Sequence, residues 1–94
     1  MFTWDPAKNR SNQKKHGISF ETACLVFEDP FHISRLERVM ETEERWQTIG
    51  SASGVRLLVV AHTVRERPPD EPEIRIISAR LASRTEREVY EEGR

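Results

Sequence analysis

The stretch Val55-Arg-Leu-Leu-Val-Val-Ala-His-Thr-Val-Arg65 decides the fold. Alternation puts Val55, Leu57, Val59, Ala61, Thr63 and Arg65 on one face of a strand, and Arg56, Leu58, Val60, His62 and Val64 on the other. Apolar residues on both faces predict a central strand covered on both sides. Such a strand needs neighbours. Upstream, Ser51–Gly54 reads as a turn. Arg45–Ile49, bounded by Gly50, reads as one strand, and Phe31–Leu36 as another, with Phe31, Ile33 and Arg35 on one side. Downstream, Glu66–Glu73 holds three prolines and four acids, which predicts a loop before a last strand over Ile74–Arg80. Consecutive strands with short connections favour an antiparallel meander.

Helices flank this meander. Phe2–Trp4 is aromatic and reads as a short first strand. Asp5-Pro6 starts a helix, because Asp caps free N–H groups and Pro fits the first turn. That helix stops at Gly17, a left-handed C-terminal position. Within it only Ala7 is apolar, so it is expected on the surface with little anchoring. Ser19 caps a second helix, in which Phe20, Ala23, Cys24 and Phe27 form one apolar face, widened by Leu25 and Val26. Asp29-Pro30 ends it. Ser83-x-x-Glu86 is a capping box opening a final helix, with Val89 and Tyr90 as its apolar contacts. The expected order is β-α-α-β-β-β-β-α, an α+β fold. The two early helices should pack on one sheet face through Phe20, Cys24 and Phe27.

The 94 residues predict a single domain over 1–94 with a thin core. Net charge is -1, so distribution matters more than the total. Residues 1–17 concentrate Lys8, Arg10, Lys14 and Lys15 against Asp5, while the acids gather in 41–44, 70–73 and 91–92. Cys24 is the only cysteine, which rules out an intrachain disulfide and fits a reducing compartment. The N-terminus lacks an apolar signal core, and the longest apolar run, Leu57–Ala61, is too short to span a bilayer. A cytoplasmic chain without membrane contact is expected. No Cys/His cluster, Gly-rich phosphate loop or nucleophile elbow is present, so neither a metal nor a cofactor is expected.

Ordered motifs then carry a family likeness. They begin at Phe2-Thr-Trp-Asp-Pro-Ala-Lys8, Asn12, Lys15-His-Gly17 and Phe20-Glu-Thr-Ala23. They continue through Val26-Phe-Glu-Asp-Pro30, Glu44-Arg-Trp46, Ile49-Gly50 and Leu57–Thr63. They close with Arg75-Ile-Ile-Ser-Ala-Arg80, Arg84, Glu86-Arg-Glu88 and Tyr90. Over almost the whole chain this set resembles the BrnT toxins. The resemblance implies a RelE-like fold and a ribonuclease toxin of a type II toxin–antitoxin pair. It also implies a BrnA-like antitoxin with a ribbon-helix-helix domain, through which alone operator DNA would be contacted. Many RelE-like toxins are distinctly basic, and this chain is not. Either its RNA footprint is confined to a patch or tight binding of bulk RNA is not its mode, and the acidic 66–73 segment is a candidate antitoxin surface instead.

Metal-free RNA cleavage uses the 2′-hydroxyl as nucleophile, with a base for its proton and an acid for the leaving oxygen. The transition-state charge needs cationic donors, and arginine forks suit phosphate oxygens. Arg80 ends a strand containing Ile74, Ile76 and Ile77, and is the preferred clamp. Its plain alternative is an ion pair with Glu86 or Glu88. Arg65 ends the neighbouring strand. In a hairpin, Arg65 and Arg75 lie near the connecting loop and Arg80 at the far end. His62 titrates in the right range, although its apolar strand face equally suits a core histidine. Glu44 beside Arg45 is a candidate base or a solvated ion pair. Lys14, Lys15 and His16 end the first helix, as dipole partners or as RNA contacts. Arg84 is a further RNA contact. Tyr90 is the best base-stacking candidate, ahead of Trp4 and Trp46, which suit a core. Cys24 is expected in the core. Against the endoribonuclease stands a catalytically weak binding module that acts as corepressor with its antitoxin. Direct DNA binding by the first helix is the weakest reading, since no helix-turn-helix pattern appears.

Overall fold

Four strands run antiparallel in sequence order: β2 (Ile33–Met40), β3 (Glu43–Ala52), β4 (Arg56–Arg67) and β5 (Glu71–Leu81). β1 (Phe2–Thr3) joins β5 in parallel, so the sheet order is β1-β5-β4-β3-β2. Between β1 and β2 lie α1 (Pro6–His16), α2 (Phe20–Ala23) and a 3-10 helix (Cys24–Glu28), and α3 (Arg84–Glu92) follows β5. The structure, a computed structural model, describes residues 1–41, 43–67 and 71–93. The order is the α+β order that the patterning predicts, with β4 inside the sheet.

Several boundaries differ, each for a physical reason. The segment expected as a loop after β4 is largely strand. β4 continues to Arg67 and β5 begins at Glu71, while residues 68–70 lie outside the described residues. The register sets Arg65 opposite Glu73, an opposite-charge pair that supports a ladder. Pro72 is tolerated there because it sits beyond the short β1 edge, where no ladder N–H is needed. β3 does not stop at Gly50 but runs through it to Ala52. A Cβ at Gly50 would meet the Val26 carbonyl oxygen at 2.9 Å and Val26 Cβ at 3.0 Å. Glycine therefore lets the 3-10 helix sit directly on β3. The second helix, expected to be one α-helix, tightens into this 3-10 form from Cys24, which drives Val26 into full burial.

The main core lies between the sheet and the α1–α2 side. Ile18, Phe20, Ala23 and Val26 pack on Ala52, Leu58, Val60, Ile76 and Ala79, with Trp4, Cys24 and Phe27 at the margin. Burial, and then Glu21, pushes the Cys24 thiol up to about 11, so it is an inert neutral thiol.

α1 is anchored, contrary to expectation, but not by apolar contacts. Its two buried residues are Asn9 and Asn12. The Asn12 amide donates to the carbonyls of Ile18 (2.8 Å) and Ala79 (2.9 Å), and its oxygen accepts from Ala79 N (3.1 Å). β1 pairs with β5 only at Ile74 and Arg75, so Ala79 lies past the end of that ladder. Asn12 supplies the missing pair of hydrogen bonds there, as a neighbouring strand would. Asn9 accepts from Phe20 N (2.8 Å) and donates to Glu21 (3.0 Å), which ties α1 to α2.

Candidate functional site

β4 sorts its neighbours onto two faces. His62, Val60 and Leu58 look toward α1 and α2, while Leu57, Val59, Ala61, Thr63 and Arg65 look the other way. On this second face α3 packs at one end, through Tyr90 on Ile49 and Val59. A capping box holds α3 at its start, Ser83 and Glu86 exchanging side-chain-to-backbone bonds. Tyr90 fixes the helix further along, its hydroxyl donating to Asp29 Oδ2 at 2.6 Å. Burial pushes the Asp29 carboxyl up. The hydrogen bonds from Tyr90, Ser51 and Phe31 outweigh that and lower it, so it stays charged.

Cross-strand register lays arginines across this face. One row runs Arg80, Val59, Ile49, Ile33; the next runs Ser78, Ala61, Gln47, Arg35; a third runs Arg75, Thr63, Arg45, Arg38. Ser78, Ala61 and Gln47 thus floor the centre and guanidinium groups rim it. Arg80 grips Glu86 in a bidentate pair, NH1 to Oε1 at 2.7 Å and NH2 to Oε2 at 2.8 Å. Arg35 approaches the same carboxylate at 3.9 Å from β2, the edge strand across the same face. The Arg80 guanidinium holds the Glu86 carboxyl down at about 2, well against its burial, with Ser83 assisting. The same pair raises Arg80 above its ordinary range. Further along, Arg45 meets Glu37 at 3.2 Å and Arg65 meets Glu43 at 3.4 Å.

The structure brings together only part of the residues singled out from sequence. Arg80, Arg65 and Arg75 share the second face, and Arg80 has the Glu86 pairing foreseen as its plain alternative. Val59 and Thr63, which face Arg80 and Arg75, are four residues apart, about 13 Å along the strand. His62 lies on the opposite face. It is 3% exposed, its Nε2 lies 2.7 Å from Thr48 Oγ1, and the Phe27 ring meets it edge-on at 5.0 Å. Burial pushes its pKa down to about 4, so it is neutral. Glu44 also belongs to the far face, opposite Val64, and is exposed. Lys14 and Lys15 are exposed in the last turn of α1, with His16 half-buried beside them. Arg84 is exposed and faces Glu88 at 3.7 Å. Tyr90 is 7% exposed, in the second apolar cluster.

As site residues, Arg35, Arg45 and Gln47 escape a reading of the sequence. Each gains meaning only from register across four strands. A β-bulge between Leu36 and Arg38 also breaks the simple alternation of β2. Among the described residues, no group of three or more His, Cys, Asp and Glu side chains is arranged to hold a metal ion. No described helix is long and apolar enough to cross a membrane.

Comparison with known proteins adds three findings. A family model described as ribonuclease toxin, BrnT, of type II toxin–antitoxin system matches residues 4–86. The 1.1 Å crystal structure of the Brucella abortus ribonuclease toxin BrnT is similar in fold, with a TM-score of 0.59 and 27% identity. The match covers 89% of this chain and 99% of that one. No curated protein matches the chain.

Proposed function

The chain belongs to the BrnT family of ribonuclease toxins of type II toxin–antitoxin systems, and from that premise we propose a metal-independent endoribonuclease that cuts RNA on the arginine-bearing sheet face and so halts growth. The observation that carries this reading is Arg80, held in a fixed geometry by the bidentate Glu86 pair on a face rimmed with further guanidinium groups. Attack of the 2′-hydroxyl on the adjacent phosphorus, its proton passing to water, breaks the bond to the 5′-oxygen, which leaves protonated by water. In between, negative charge gathers on the non-bridging oxygens. A pre-oriented guanidinium stabilises that charge without reorganising. Glu86, ionised with a pKa of about 2, is a weak proton acceptor and a strong anchor. His62 is buried on the other face, which favours its packing role over acid–base work. Charge stabilisation by arginine therefore carries the rate in this proposal. Arg65 and Arg75 contact the flanking phosphates. Lys14, Lys15, His16 and Arg84 extend the RNA contact.

The antitoxin, in this proposal, is a BrnA-like ribbon-helix-helix protein that masks the arginine face, contacts operator DNA for the complex, and acts with the toxin in the cytoplasm. The corepressor alternative draws on one observation: each of Arg80, Arg45 and Arg65 already has a carboxylate partner.

The test is incubation of the purified chain with bulk RNA in EDTA, beside Arg80→Ala. The proposal expects cleavage by the wild type and a loss of about 10²–10³-fold in the variant. Equal cleavage by both would remove Arg80 from the site. Intact RNA with both proteins, on bare RNA and on translating ribosomes alike, would leave the corepressor module.

A further inference from the structure

Arg80 and Arg35 approach one carboxylate from opposite sides, but on different terms. Arg80 commits NH1 and NH2 to Glu86 and also donates from NH1 to the Leu81 carbonyl at 3.2 Å. Arg35 is only charge-paired with Glu86, at 3.9 Å, beyond hydrogen-bond reach. Its side chain is 45% exposed, and among the described residues no hydrogen bond engages its guanidinium. Arg35 thus keeps its full planar fork of donors. It also stands in the row of Ser78, Ala61 and Gln47, the floor of the face, one row in from Arg80.

We propose that Arg35 is the cation that grips the bound phosphodiester at this site, and that Arg80 with Glu86 is the fixed frame that aims it, Arg80 itself meeting the charge that builds on the phosphate oxygens only in the transition state. The inference rests on the ribonuclease reading and deepens it. Arg80, Glu86 and Arg35 together carry a net charge of one positive unit, so the frame alone is neutral. Arg80, already paired with Glu86, adds little to the binding of the ground-state anion, and Arg35 adds the uncompensated charge and the unused fork. A phosphate on the floor beside Gln47 meets Arg35 bidentately, while Glu86 keeps the guanidinium from swinging into solvent.

The experiment measures binding apart from cleavage. The probe is a mixed-sequence oligoribonucleotide with 2′-O-methyl groups throughout, which lacks the internal nucleophile. Its affinity for the full chain is followed by fluorescence anisotropy over a sodium chloride series. Arg35→Ala should bind about tenfold more weakly, and its salt slope should fall by about 0.7, the value for one phosphate contact on a single strand. Arg35→Lys should keep the slope, because the charge remains, yet bind about threefold more weakly, because the fork is gone. Arg56→Ala removes the same charge at the β3–β4 hairpin end, outside the three arginine rows, and should change neither reading. Urea unfolding of each variant confirms that the fold persists. If Arg35→Ala matches Arg56→Ala while the wild type binds and cleaves RNA, the Arg35 assignment is overturned and the ribonuclease reading stands. If the wild type neither binds the probe at low salt nor cleaves RNA, bare or on translating ribosomes, both fall.

Discussion

His62 and Glu86 are displaced from their ordinary ranges in ways that stability can read separately. Burial holds His62 at about 4, against 6.5 for an unperturbed histidine. As the pH falls from 6.5 to 4, the unfolded chain takes up a proton that the folded chain refuses, so stability is lost across that window and levels off below it. Glu86 lies at about 2, against 4.5 for a free glutamate. It contributes stability that is complete above 4.5 and lost as the pH falls toward 2. Urea midpoints measured from pH 8 to pH 2.5 should therefore drop in two stages. His62→Gln should flatten the upper stage and leave the lower. Glu86→Gln should cost about 2 kcal/mol at pH 7, for the lost charge-assisted bonds, and shrink the lower stage. Hydrogen bonds also lower the Asp29 carboxyl, so acid still costs stability and the stage shrinks without vanishing. An upper stage that survives His62→Gln would mean that the imidazole is not held neutral by the core, and would reopen an acid–base role.

The sequence carried the elements further than it carried their attachments. Alternation in Val55–Arg65, the Asp5-Pro6 start, Gly17 and the Ser83–Glu86 box were enough for the order of strands and helices, because each is a local signal. Gly50 misled as a strand end because its role is a close approach by Val26, a contact made 24 residues away in sequence. α1 misled because anchoring is normally read from apolar periodicity, and here two asparagines do it. Arg80 was legible at the end of an apolar strand, whereas Arg35 needed the register of β2 against β3. The anchoring of α1 yields its own prediction. Asn12→Ala would leave the Ala79 N–H and C=O and the Ile18 carbonyl buried without partners. The expected cost is about 3 kcal/mol in urea unfolding, far above the few tenths typical of an exposed polar helix position. Asn12→Asp should fare no better, since a carboxylate cannot donate to the two carbonyls. A cost below about 1 kcal/mol for Asn12→Ala would show that the sheet edge is satisfied by water instead.

Taken whole, the molecule is nearly neutral yet far from uniform in charge. Arginines line one sheet face, and a second basic group, Lys14, Lys15 and His16, ends α1 on the other side of the sheet. These two regions meet at one edge. Asn12 bonds to Ala79, the residue before Arg80, so the last turn of α1 begins beside the strand end that bears Arg80. An RNA strand lying on the arginine face can leave it over the β5 edge and run past that turn. Short strands would end on the sheet face; only longer ones would reach the lysines. The double variant Lys14→Ala, Lys15→Ala should therefore bind a 2′-O-methyl oligomer of about five nucleotides as the wild type does. With one of about fifteen nucleotides its salt slope should fall by about 1.4, two phosphate contacts at about 0.7 each. Stability should not change, because both lysines are exposed. Equal slopes for the long oligomer would confine the footprint to the sheet face and leave the α1 terminus as simple helix-dipole complementarity. Equal weakening with both lengths would mean that the lysines act as a general field and not along a path.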